Sequence, residues 1–257
     1  YSISKAAVFE ENNVLYVAED ADIYFEEFEK FNGLTIGMYR YSTTEEELDE
    51  YAVQNGFRYE GRYYDDENKM LADVEHGIID AAVSGTLTYV DESVKNVATF
   101  GKHEFYFVGT SNMQPIIDEL DNTITCYNMQ NNTYIQSLYD AEYWQSKASY
   151  VGLTREEHEY VIDHPIIHVG YLKNSYPLQY TDDEGRFGGI SRRFFDYFSE
   201  YTGFSFIYHE YADSDKCKQD LLDGKLDMIA LVPYYREWAR KNSLSVTDWY
   251  LQVPVYE

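Results

Sequence analysis

Short apolar runs alternate with amphipathic stretches along this chain, a pattern that predicts strands and helices in turn. Residues 14–17 read as a strand and 23–31 as a short acidic helix stopped at Asn32-Gly33. The next strand, 34–39, runs into Ser42-Thr43-Thr44-Glu45-Glu46, where a hydroxyl followed by glutamate marks a helix start. Such a strand-to-helix turn aims free backbone N–H groups beyond the strand's end. A helix over 45–54, a strand over 58–63, a helix over 68–75 and a strand over 81–83 continue the alternation. A strand over 105–108 and helices over 113–120 and 132–144 close the first half.

A helix with a capping pattern occupies 153–161 and stops before His164-Pro165, because the residue before proline avoids the α region. A strand over 166–170, a turn at Asp182-Asp183-Glu184-Gly185, a helix over 190–201, a strand over 205–209, a helix over 216–222 and a strand over 228–232 follow. Two stretches share one plan. Gly56-Phe57-Arg58-Tyr59 leads to Gly77-Ile78-Ile79-Asp80, and Gly203-Phe204-Ser205-Phe206 leads to Gly224-Lys225-Leu226-Asp227, with the same spacing between anchors. Two related α/β lobes, each a mostly parallel sheet flanked by helices, are the expected architecture. The segments after Thr247 and after Tyr1 also look alike, as if the chain were cut at one point of a longer period.

Composition narrows the function. The chain has 257 residues, 44% of them hydrophobic, enough to bury a substantial core. Forty-six acidic against 20 basic residues give a formal charge of −26, which repels phosphate backbones and anionic membranes, so nucleic acid is not an expected partner. Tyrosine is abundant, 28 against 14 Phe, and its ring with a polar tip suits half-exposed surfaces and clefts. Cys126 and Cys217 match no metal-ligand spacing, and their pairing cannot be read from order. No run approaches a membrane span and no leader opens the chain, which reads as a soluble piece of something anchored elsewhere.

Catalytic chemistry has no visible seat. Asp80 and Asp227 each lie beside a helix-to-strand turn, where a carboxylate tethers backbone, so both are expected to be structural. The six histidines show no ligand spacing, and neither a nucleophile elbow nor a phosphate loop is present. A non-enzymatic protein without cofactor or metal is expected.

The stretch from Leu153 onward carries a composite signature. It runs through Leu153-Thr154, His164-Pro165, Tyr176-Pro177-Leu178, Gly189-Ile190, Thr202-Gly203-Phe204, Asp227, and Arg240 to Thr247-Asp248. It resembles the family-three periplasmic solute-binding proteins, the amino-acid-type Venus flytrap domains found in tandem on bacterial sensor kinases and diguanylate cyclases. The first part of the chain resembles the other lobe, through Gly33, Ile36-Gly37 before Ser42-Thr43, Gly77 and Asp80.

The resemblance implies lobe two of one flytrap with its hinge strands at 1–112, return helices at 113–152, a connector helix at 153–165, and lobe one of a following flytrap at 166–257. The last segment could instead complete the first as a permuted pair. It implies a small ligand, such as an amino acid, carboxylate or related polar solute, bound between lobes. Tyr176 would cover the ligand, Arg240 (or Arg236) would grip its carboxylate, and Ser42 and Thr43 would bind that carboxylate from the helix start, unless they serve simply as caps. Three positions depart from the family pattern: Gly85 replaces a ligand-holding carboxylate, Ala230-Leu231-Val232-Pro233 replaces small polar positions, and Tyr41 replaces a small residue. The implied role is an extracytoplasmic sensory module whose membrane-anchored parent carries a kinase or cyclase output, with a homodimer among the assemblies allowed. Competing readings are a stand-alone transporter binding protein, a dehydratase on the same fold, and a degenerate flytrap acting as spacer.

Overall fold

In a computed structural model, which describes residues 1–40, 42–88, 90–130, 152–232 and 236–247, the alternation folds as two α/β units, Tyr1–Glu159 and Tyr160–Glu257. The division falls inside one helix, α4 (Arg155–Asp163).

The first unit contains strands β1 (Ser2–Ile3), β2 (Phe9–Ala18), β3 (Thr35–Tyr39), β4 (Glu60–Tyr64), β5 (Ala81–Gly85), β6 (Val94–Phe105) and β7 (Val108–Gly109). Its helices are α1 (Thr44–Asn55), α2 (Glu67–Glu75) and α3 (Gln114–Gln130). Five strands form a mixed sheet in the order β4-β3-β5-β2-β6. Strand β3 runs parallel to β4 and β5, and β2 runs antiparallel to β5 and β6. The Val14–Val17 run is wholly buried because both faces of β2 are covered: Leu15 and Val17 pack with Ile36, Met38, Leu48 and Phe57, and Val14 and Tyr16 pack with Met70 and Val74. Each such side chain contributes roughly 1.5–3 kcal/mol by leaving water.

Three expectations need correction here. The segment expected as a helix over 23–31 holds only a short 3-10 turn, Phe28–Phe31. Tertiary contacts override its helical pattern: Phe25 N–H donates to Leu153 O, and Arg155 draws in Asp22 and Glu27 at 2.8 and 2.6 Å. The strand expected at 105–108 is instead the end of β6, then a break, then β7. Strand β6 escaped the sequence pattern because Gly101, at φ 64°, and register shifts opposite it in β2 disturb the alternation. The helix expected over 113–120 is longer, extending through α3, while the helix expected over 132–144 lies outside the described residues.

Helix α4 carries the expected cap. Thr154 Oγ1 accepts from the Glu157 N–H at 3.3 Å, and the Glu157 carboxylate takes the Thr154 N–H at 2.9 Å, a reciprocal capping box.

The second unit contains β8 (Ile166–Leu172), β9 (Asn174–Ser175), β10 (Gln179–Thr181), β11 (Phe187–Gly188), α5 (Ile190–Thr202), β12 (Ser205–Tyr211), α6 (Ser214–Leu222), β13 (Met228–Ile229) and α7 (Arg236–Lys241). Strands β12-β8-β13 form a parallel sheet, and β11-β10-β9 a small antiparallel one. Val169, Tyr171, Phe187, Phe195 and Ala230 build its core with Phe206 and Tyr208. The strand expected over 228–232 is confined to Met228–Ile229. Helix α6 begins ahead of the expected 216 because Asp213 caps it, accepting from the Asp215 N–H.

The sequence repeat is a structural repeat. The path β3-α1-β4-α2-β5 matches β8-α5-β12-α6-β13, with the first strand lying between the other two in both. Asp80 Oδ2 accepts from the Thr35 N–H at 2.7 Å while the Asp80 N–H donates to Thr35 O at 3.0 Å. Asp227 repeats both bonds on His168, at 2.7 and 2.9 Å. Both aspartates therefore tether backbone. Tyr64 donates to Asp73 at 2.7 Å, and Tyr211 to Asp220 at 3.0 Å, at the matching places. Gly56 and Gly203 end α1 and α5 in the left-handed conformation, φ 75° and 82°. Gly37 and Gly170 let a helix approach: an added Cβ would meet Met70 of α2 at 2.8 Å in one unit and Cys217 of α6 at 2.7 Å in the other.

Candidate functional site

In an open α/β sheet the carboxyl ends of the strands, together with the following helix starts, form the natural ligand-binding edge. In the first unit β3 ends at Tyr39 and the chain turns into α1 through Ser42 and Thr43, both exposed. The expected hydroxyl cap is not made: Thr43 occupies the N-cap without a side-chain cap bond, and Ser42 Oγ donates back to Tyr39 O at 2.8 Å. The first turn of α1 carries Glu45, Glu46 and Glu47. These already complement the helix dipole and repel an incoming anion, so the electrostatics work against a carboxylate ligand at Ser42 and Thr43.

Beside that helix start lies a polar group that sequence reasoning missed. Glu47 Oε2 accepts from Asn13 Nδ2 and sits 2.9 Å from His103 Nε2. Strand pairing sets Asn13 opposite Gly85 and Glu11 opposite His103. A Cβ added at Gly85 would lie 1.6 Å from Glu11 Oε1, and that same oxygen accepts the Leu87 N–H at 3.2 Å. The place a side chain at 85 would fill thus belongs to the Glu11 carboxylate, delivered from the neighbouring strand. The only trace of this in the sequence is the polar run Glu10-Glu11-Asn12-Asn13 ahead of the apolar core of β2.

In the second unit the corresponding helix start is closed by its own chain. The stretch between β8 and α5 folds as the β9-β10-β11 sheet, and Pro177 O and Leu178 O accept from the Ile190 and Ser191 N–H groups at 3.2 and 3.0 Å. Gly189 at φ 108° makes this approach possible, since an added Cβ would stand 2.5 Å from Leu178 O. Tyr176, 78% exposed, leans on Tyr180 with ring centroids 5.2 Å apart. The sheet is fastened to the strand ends by Tyr171 to Thr181, Thr181 to Glu210 and Lys173 to Glu210, at 3.0, 2.6 and 3.1 Å. The Thr181 hydroxyl, with Lys173, holds the Glu210 carboxyl below its usual range.

Arg236 and Arg240 lie at the two ends of α7, both exposed. That helix is seated through buried Ala239, and Trp238 takes the Lys218 ammonium of α6 over its ring at 6.0 Å. The expected site residues thus fall on both units: Ser42 and Thr43 on the first, Tyr176, Arg236 and Arg240 on the second.

Phenols recur as donors to carboxylates: Tyr59 to Asp49 at 2.7 Å, Tyr63 to Glu45, Tyr64 to Asp73 and Tyr106 to Glu104 in the first unit, Tyr211 to Asp220 in the second. Burial, reinforced by those carboxylates, pushes Tyr64 and Tyr211 up to about 12. Burial also pushes the Cys217 thiol up to about 11, which keeps it a protonated, inert core group, and both cysteines are free. Among the described residues no cluster of His, Cys, Asp and Glu could hold a metal ion, and no helix is long and apolar enough to cross a membrane.

No protein-family model matches this chain, and no curated protein matches it. Solved structures resemble it at low identity. The periplasmic domain of BvgS from B. pertussis aligns over 92% of this chain and 47% of that one, at 18% identity and a TM-score of 0.42. The second substrate binding domain of a putative amino acid ABC transporter from Streptococcus pneumoniae aligns over 55% and 64%, at 18% identity and 0.42. The probable amino-acid ABC transporter extracellular-binding protein ytmK from Bacillus subtilis aligns over 55% and 62%, at 16% identity and 0.45. The chain therefore spans about half to just under two thirds of the length of these structures.

Proposed function

We propose that this chain is part of an extracytoplasmic ligand-binding sensory module, in which each unit is one lobe of a Venus flytrap. The lobes would belong to successive flytraps, with boundaries as the resemblance implies, and closure on a small molecule would be passed to an output domain of a membrane-anchored parent. The observation that carries this reading is the repeated β-α-β-α-β frame with its Asp80 and Asp227 tethers, because a duplicated lobe plan is what a two-lobed binding protein requires. A ligand works as a signal only through its preference for the closed state.

The strand edge of the first unit favours a particular chemistry. Glu11 lies opposite His103 on the paired strands, Glu47 meets that same His103, and exposed Ser42 and Thr43 lead into the acidic helix turn that carries Glu47. An amine- or guanidine-bearing polar solute complements that edge better than a dicarboxylate does. Arg236 and Arg240 remain the residues proposed to meet a carboxylate, with Tyr176 as cover.

Thermal-shift screening of the full chain tests this with three arms: basic amino acids and polyamines, neutral amino acids, and dicarboxylates. A ligand at about 100 times its Kd adds ~2.7 kcal/mol of stability. A shift in the first arm that Glu11→Gln removes supports the reading. A shift confined to dicarboxylates, and lost in Arg240→Ala, overturns the charge preference while keeping the binding role.

A second reading is favoured by one observation. The helix start of the second unit is already filled by Pro177 O and Leu178 O, as a flytrap that serves as a spacer would tolerate. No shift in any arm supports it.

A further inference from the structure

In the second unit His168 Nδ1 and His209 Nε2 lie 2.9 Å apart, with ring centroids separated by 5.2 Å. They sit on adjacent parallel strands, where β8 and β12 pair His168 with Ile207 and Gly170 with His209. Both rings are half-buried, so the bond is partly shielded yet within reach of solvent protons.

Alternation along the strands fixes the face they share. Gly170 faces Cys217 of α6 and Leu226, so His168, two residues away, lies on that side, and His209 shares the side of Tyr211, whose hydroxyl reaches Asp220 of α6. The titratable and charged groups on elements packed there are few and committed. Asp227 is tied to the His168 backbone N–H. Asp220 is clasped by Lys216, Lys225 and Tyr211 at 2.7, 2.8 and 3.0 Å. Cys217 is a buried thiol held protonated by its burial. Helices α4 and α5 contribute their rings, Tyr160, Phe195 and Phe198, to the opposite face through Phe204, Phe206 and Tyr208.

An N–H···N bond between two imidazoles needs one ring to act as acceptor, a role only a neutral ring can fill. The neutral pair and the singly protonated pair both keep the bond. A second proton leaves two donors and two like charges facing each other at 2.9 Å, with Asp227 already engaged. The geometry points to a proton-sensing pair: His168 and His209 hold β12 against β8 while at least one ring is neutral, and release that hold when both rings are protonated.

The repeat supplies an internal contrast. The matching positions of the first unit are Thr35 and Arg62, which cannot titrate in this range, and the Arg62 guanidinium is engaged over the Tyr64 ring at 5.5 Å. The second unit alone therefore carries this device on the shared frame. Its output has a short path. The same two strands end at Leu172 and Tyr211, where the Lys173 N–H donates to Tyr211 O and Glu210 holds Lys173 and Thr181, the fastening of the sheet that carries Tyr176. Loosened pairing of β8 and β12 would reach that fastening directly.

This inference is independent of the ligand reading, because the pair responds to protons whether or not the strand edge binds a solute. Long-range proton–nitrogen NMR of the imidazoles in the full chain, followed from about pH 8 to pH 5, tests it. The expected result is one shared tautomer at high pH, both rings protonated on Nδ1 or both on Nε2, because Nδ1 of His168 faces Nε2 of His209 and only one of the two can carry the proton, together with coupled two-step titration of the pair. Two rings that titrate independently, or that carry opposite tautomers at high pH, would overturn it. A second measurement uses His168→Asn with His209→Gln, whose amides keep a donor and an acceptor near the original nitrogens without titrating. The protection factors of the β12 amides, which remove the intrinsic pH dependence, should fall at least about tenfold between pH 8 and pH 5 in the unmodified chain and not in the double variant. An equal fall in both, or no fall in the unmodified chain, would also overturn the proposal.

Discussion

The two units share a frame and differ at one crossing. In the first, β3 reaches α1 through a short turn that leaves the Thr43 N-cap without a side-chain bond and places glutamates in the first turn. In the second, β8 reaches α5 through the β9-β10-β11 sheet, and the carbonyls of Pro177 and Leu178 between β9 and β10 occupy the helix start. The residues that repeat are those with backbone or packing duties: the Asp tethers, the left-handed glycines, the glycines beneath helices and the Tyr–Asp bonds. The difference teaches that the frame fixes where a strand-edge site can form, while the crossing decides whether it is open.

The comparison can be broken most sharply at Gly189. Replacing it with Ala forces a side chain into a φ of 108° and against Leu178 O, so Gly189→Ala is expected to cost the second unit about 3 kcal/mol. Thr43→Gly, at the matching helix start, should stay within about 0.5 kcal/mol, since no side-chain cap is lost. Urea unfolding of the two variants measures the contrast, and equal losses would mean that the crossing does not distinguish the units.

Next in size are the tethers. Asp80→Ala and Asp227→Ala each leave a strand's N–H without its carboxylate, and each should cost about 1–3 kcal/mol. Losses that differ widely between the two would show that the frame is not equivalent. Smaller effects are expected from Tyr64→Phe and Tyr211→Phe, about 1 kcal/mol apiece in the same assay.

Acid bears on one Tyr–Asp bond of the second unit. Lys216 first, then Lys225 and Tyr211, hold the Asp220 carboxyl well below the usual carboxylate range. A depressed carboxylate contributes stability above its unfolded value, about 3.9, and loses it as pH falls toward the folded value. The second unit should therefore weaken as pH falls below about 4, and Lys225→Met should reduce that dependence, as followed by acid unfolding. The smallest expected effect on stability is Ser42→Ala, whose hydroxyl only returns to Tyr39 O; a circular-dichroism melt should shift by no more than about 2 °C.

Much of this frame was legible in the sequence. The matched spacing of Gly56, Gly77 and Asp80 with Gly203, Gly224 and Asp227 announced two kindred lobes, because positive-φ glycines and a tethering carboxylate are local requirements that local sequence can display. The capping box at Thr154 and Glu157 was equally visible. What escaped was non-local. The segment before Phe28 is held open by Leu153 and Arg155, far along the chain. Strand β6 hides behind Gly101 and bulged pairing. Glu11 fills the space at Gly85 only because two antiparallel strands meet there, a pairing that the local sequence does not display.

The phenol–carboxylate bonds bear on how so acidic a chain remains folded. With 46 acids and 20 bases, cations are too few to partner every carboxylate, and tyrosine hydroxyls take a share of them. A neutral donor satisfies a carboxylate's lone pairs without cancelling its charge, so these bonds resist added electrolyte, while the mutual repulsion of the anionic surface is damped by it. Brine that would strip lysine-rich surfaces of their ion pairs should leave this molecule firmer.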